Sequence, residues 1–207
     1  MRFTLALHAR SGRWIPPALL LATWVALVVA NPGSALDNAA NLFFAVLIVA
    51  VWATSAIGNV DDDPHRDLCA AANGGPARLA ALRHVAAVLE LLPVVVVAGV
   101  LAVASGPRHG ASWGTVVAGT AGLLASGVLL GAALGSFLHR PVLRSTAWTV
   151  VVALVAIMVV VLLPPVRGVF HDADHARIGG VGILFGVSLV LAVVAGWAAG
   201  ALAARLS

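Results

Sequence analysis

The chain has 207 residues, of which 61% are hydrophobic and only 10% charged. A soluble domain carries about 25% charged residues, so the composition excludes an ordinary soluble globule and points to an all-α integral membrane protein organised by the bilayer. All twelve cationic residues are arginine, most of them flanking apolar runs, which is the pattern of membrane anchors and not of a nucleic-acid surface.

Two shortages exclude further classes. There is no lysine, so the chain has neither a P-loop of its own nor a retinal-type Schiff base. Cys69 is the single cysteine, which rules out a Cys-x-x-Cys pair and an internal disulfide.

Residues 1–13, MRFTLALHARSGR, form a basic segment suited to an interfacial helix on an anionic leaflet. The competing reading is a signal-peptide n-region followed by the apolar run Ile15–Ala30; Trp14-Ile15-Pro16-Pro17 favours a helix entry instead. Span 1 is expected at Pro17–Ala30 and is short. Asn31-Pro32-Gly33-Ser34 is a turn. Span 2 follows at Leu36–Ile57, then a polar stretch, then span 3 at Arg78–Ala104. Span 4 is expected at Trp113–Leu138 and is broken by His139-Arg140-Pro141. Span 5 runs over Ser145–Leu163 and span 6 over Ile178–Leu202.

Six spans place both termini on one side of the membrane. With the termini cytoplasmic, nine arginines lie inside and three (Arg108, Arg167, Arg177) outside, which sets the expected orientation. Five of the six tryptophans sit near span ends, as an aromatic belt does. Span 4 carries Gly127, Gly131 and Gly135 at i, i+4 spacing, and span 6 carries Gly182/Gly186 and Gly196/Gly200. Such ridges predict close helix packing in lipid, not a specific dimer face.

The polar stretch Gly58–His84 is the longest interruption of the apolar sequence and holds Asp61, Asp62, Asp63 and Asp67 with Arg66, Arg78 and Arg83. Asp63 is an expected N-cap with Pro64 at the first helical position. Asn73-Gly74-Gly75 supplies a left-handed stop, leaving a helix of about nine residues. Pro76 opens the next helix. A capped, charged helix between two spans is a docking point for a soluble partner.

Glu90 is the one carboxylate inside a span beyond its first turn. Arg83 lies seven residues earlier on the same face, with Ala86 and Ala87 between them, and Pro93 favours a kink one turn later. The two readings are a cation or proton site in a cavity and a snorkelling Arg83–Glu90 pair near the interface; the second is preferred. His171-Asp172-Ala173-Asp174-His175 would suit a divalent metal if helical, but a polar surface loop is the commoner outcome, so no metal site is assigned. The Asp61–Asp67 cluster lacks the D-x2-D-G-x2-A-R spacing of the CDP-alcohol phosphotransferases.

Taken together, the basic N-terminal segment, the six spans and the loop Asp61–Asp63, Pro64–Ala72, Asn73-Gly74-Gly75-Pro76, Arg78–Arg83 resemble the permease subunits of ABC-2 type exporters. The motif covers about 25 residues, and the hydrophobic re-entrant pair usual between spans 5 and 6 is replaced here by the polar loop Val166–Arg177. The resemblance implies a non-enzymatic transport subunit with no cofactor of its own. ATP would be held by a separate nucleotide-binding subunit docked on Asp63, Arg66, Asp67, Leu68, Ala71 and Ala72, and two permease copies would pair in the plasma (inner) membrane. The alternatives are a membrane assembly or anchoring subunit and a small intramembrane enzyme.

Overall fold

The structure is a computed structural model that describes residues 12, 14–31, 33–59, 63–108, 110–138, 146–163, 166, 168 and 179–206, with side chains described for these except 63–66, 146–150, 161, 203, 204 and 206. Among the described residues there are only helices and turns. The long helices are α1 (Ile15–Ala30), α2 (Ala35–Gly58), α3 (Asp63–Ala72), α4 (Pro76–Ser105), α5 (Trp113–Gly135), α6 (Thr146–Leu162) and α7 (Gly179–Leu206).

Four of them, α2, α4, α5 and α7, are long and apolar enough to cross a membrane. The other two predicted spans are shorter: α1 has 16 residues and α6 has 17, against the roughly 20 that span a hydrocarbon core. Large apolar side chains such as Val96, Val100, Val190, Val193 and Met158 point outward. Such a surface is costly in water and natural in lipid.

Local chemistry fixes most helix ends. Ser34 caps α2 in a capping box: its hydroxyl accepts from the Asp37 amide, and the Asp37 carboxylate accepts from the Ser34 amide. Ser112 caps α5 by accepting from the Thr115 amide. Pro76 opens α4 where its missing N–H is harmless. Pro93 lies within α4 on its exposed side, and the helix continues through it.

α2 is the centre of the bundle. One side packs with α1, α4 and α5 through Leu42, Val46, Val49 and Ala53; the other packs with α5, α6 and α7 through Phe43 and Leu47. The α2–α5 seam uses the glycine ridge. A Cβ on Gly127 would lie 3.1 Å from the Phe43 carbonyl oxygen, and one on Gly135 2.7 Å from the Val51 carbonyl oxygen. The ridge thus serves packing within one chain, and its register shows α2 and α5 running parallel. Close approach through small residues is the main source of helix association where lipid removes any hydrophobic drive.

The bundle has two polar ends. At one, the Ala35 amide donates to the Pro107 carbonyl at 3.1 Å. Beside it the buried Asn38 accepts from the Gly33 amide at 3.0 Å and donates to Ser105 Oγ at 3.1 Å, tying the end of α4 to the start of α2. The other end gathers α3, the start of α4 and the ends of α2, α5 and α7.

Candidate functional site

The candidate site occupies this second end and begins with α3. Its ten residues, one more than expected, end in a Schellman motif: the Gly75 amide donates to the Ala70 carbonyl at 2.7 Å and the Gly74 amide to the Ala71 carbonyl at 3.4 Å. Gly74 has φ +83°, the left-handed conformation the sequence predicts there. The Asn73 side chain donates to the Cys69 carbonyl at 2.8 Å, satisfying another terminal acceptor.

α3 packs against α4 with Cys69 and Ala70 half-buried, and turns Asp67, Leu68, Ala71 and Ala72 to the exterior. Leu68 is 70% exposed. The positions 68, 71 and 72 are i, i+3 and i+4, so they form one contiguous apolar face. Asp63 and Arg66 fall in the helix, but their side chains, and with them the expected Asp63 cap, lie outside the described residues.

The first two turns of α4 carry the links to the rest of the bundle. Arg83 is buried and its Nη1 donates to the carbonyl oxygen of Gly58, at the C-terminus of α2, at 3.5 Å. A guanidinium at that position also meets the negative end of the α2 dipole. Glu90 is half-buried, on the side of α4 that carries Arg83, Ala86, Ala87 and Leu91 into the bundle. The shared face expected for Arg83 and Glu90 is therefore present, and Arg83 has an anchor on α2 that sequence reasoning did not include.

His84, next in the chain, faces the other way. Its Nδ1 lies 2.7 Å from Ser136 Oγ, just past the end of α5. The Ser136 hydroxyl donates to the Ala132 carbonyl at 2.8 Å. Ser136 thus ties the His84 ring to the last turn of α5. On α7, Gly196 sits against the His84 ring and Gly200 against the Ala77 backbone, where an added Cβ would come 3.2 Å from the Ala77 carbonyl oxygen.

Between α4 and α7 the surface opens into an apolar cleft of about 560 Å3 into which His84 projects. In the sequence His84 stands out only as the last residue of the polar stretch. The signal that could have found the cleft was the pairing of small residues, Ala77 and Ala81 on α4 with Gly196 and Gly200 on α7, around a single imidazole. Among the described residues no group of three or more His, Cys, Asp or Glu side chains converges as a metal site; His171–His175 lies outside them.

Comparison with protein families, curated proteins and solved structures finds no match to this chain. The functional reading therefore rests on the residues themselves.

Proposed function

We propose that this chain is the membrane permease subunit of an ATP-driven exporter of the ABC-2 type, working with a separate ATPase chain and as a pair of permease copies. In this reading it lies in the plasma (inner) membrane with both termini and α3 cytoplasmic. The observation that carries it is the outward apolar face Leu68–Ala71–Ala72 on a short helix that, among the described residues, packs strongly against α4 alone. A partner pressing on that face would move the start of α4. Through Arg83–Gly58, His84–Ser136 and Gly200–Ala77 the push would reach α2, α5 and α7 together. Asp67 would sit at the polar rim of the contact, where salt screens its contribution.

The test is copurification of the tagged full chain from its native membrane, with ATPase activity of the eluate as readout. Wild type should bring down a nucleotide-binding chain and ATP hydrolysis. Leu68→Asp should retain its thermal melt in detergent and lose most of that activity. Equal activity at equal stability removes the coupling role of α3. A second reading, a non-enzymatic assembly or anchoring subunit, is favoured by the closed α2–α5 seam, because an anchor needs no path between its helices. An intact wild-type chain that brings down a membrane complex without ATPase activity selects that reading.

A further inference from the structure

The cleft between α4 and α7 is an apolar trough, and each of these two helices carries an exposed arginine toward the α3 end. Its α4 wall includes Ala81, Val85 and Leu89, and its α7 wall Val193 and Trp197, with Leu129 of α5 behind them. A volume of about 560 Å3 lies within the roughly 300–1,000 Å3 of small-molecule sites. Trp197 is 77% exposed and Val193 66%, so the trough is open sideways to the surrounding solvent, which for these helices is lipid.

The mouth lies at the α3 end, where Ala77, Gly200 and Ala201 line the cleft. Two exposed arginines, Arg78 and Arg205, lie on the same two helices at that end of the bundle. Arg78 precedes Ala81 and Val85 by three and seven residues, and Arg205 follows Ala201 and Trp197 by four and eight. Helical periodicity therefore puts each arginine on the face of its helix that lines the cleft. Basic positions between helices at one membrane surface recognise anionic headgroups, while the apolar trough below matches an acyl chain. Within the trough, His84 contributes a polar ring to the lining.

We propose that this cleft is a binding site for one anionic phospholipid. An acyl chain lies along Leu89, Val193 and Trp197, and the phosphate is held at the mouth by Arg78 and Arg205. The inference is independent of the exporter reading, and its test involves no ATPase.

The experiment uses the full chain in phosphatidylcholine vesicles, titrated with phosphatidylglycerol or phosphatidylcholine carrying brominated acyl chains. Tryptophan quenching is the readout, and Trp197→Phe identifies the part that belongs to the cleft. Brominated phosphatidylglycerol should quench the Trp197 component at a lower mole fraction than brominated phosphatidylcholine. Arg78→Gln and Arg205→Gln should each reduce that preference about fivefold, whereas the double lysine variant, Arg78→Lys with Arg205→Lys, should keep it. Ala81→Phe, which fills the trough from an exposed position, should weaken quenching by both lipids. Equal quenching of wild type by the two lipids overturns the proposal without reference to any variant. So does an unchanged preference in the glutamine variants, or quenching indifferent to Ala81→Phe. Cross-linking of Val193→Cys between two copies at full yield, with Trp197 shielded from both lipids, would assign the cleft to a second copy and overturn it as well.

Discussion

Gly131 of α5 lies so close to Ala50 of α2 that a Cβ on the glycine would come 2.5 Å from the alanine Cβ and 2.6 Å from the Leu47 carbonyl oxygen. Backbone cannot retreat as a flexible side chain can, so the two helices would have to part. Gly131→Ala is expected to destabilise the bundle by about 1–3 kcal/mol, the usual cost of overpacking. Gly127→Ala, whose nearest atoms are at 3.1–3.3 Å, should cost less. Gly182→Ala and Gly186→Ala meet nothing within 4 Å among the described residues and should be neutral or slightly stabilising. Thermal melts of the four variants in one detergent check the order; a Gly131→Ala melt equal to that of Gly182→Ala would contradict the seam.

Asn38 is 1% exposed and bonds on both sides of its amide. Asn38→Leu removes both bonds and strands the Gly33 amide, with an expected loss of about 1–3 kcal/mol. Ser105→Ala removes only one acceptor and should lose about half as much. If the two substitutions are made together, the combined loss should fall short of the sum, because they share one bond. An additive result would separate Asn38 from Ser105.

Among the described residues, the buried hydroxyls of Thr54 and Thr120 have no hydrogen-bond partner. Valine has nearly the same shape without the polar atom, so Thr54→Val and Thr120→Val should be neutral or stabilising by up to about 1 kcal/mol. Ser126 is the control. It is equally buried but donates to the Gly122 carbonyl at 2.6 Å, and Ser126→Ala should bring no gain. Marked destabilisation by either valine would reveal a partner for that hydroxyl.

Sidedness follows from which ends meet. Cys69 lies on α3, at the end that holds Arg78, Arg83 and Arg205, while Ala111 precedes α5 at the opposite end with Arg108. An impermeant thiol reagent applied to intact cells should modify Ala111→Cys in a Cys69→Ala background and spare native Cys69. Opening the cells should expose Cys69. The reverse pattern would invert the proposed orientation, and labelling of both from outside would refute α4 as a span.

The permissive and the decisive parts of this protein divide by range. Helix ends are local, set by hydropathy, proline, caps and glycine within a few residues. The sequence alone therefore determined a membrane-type helical chain, the bounds of α2, α4 and α5 to within about three residues, and the left-handed Gly74 that stops α3. The exposed Leu68 was legible too, because a ten-residue helix with a narrow apolar face has little to bury it against.

Which apolar face meets which helix was not legible. In water, polarity marks the outer face of a helix; in lipid, the outward Val96 and the inward Val46 are equally apolar, and periodicity loses its contrast. Only the tertiary structure decided that the Gly127–Gly135 ridge serves α2, that Arg83 reaches the Gly58 carbonyl, and that His84 turns to Ser136 beneath a cleft shared with α7. Each of these is a contact between residues far apart in the chain, and the bilayer leaves no trace of it in the local pattern.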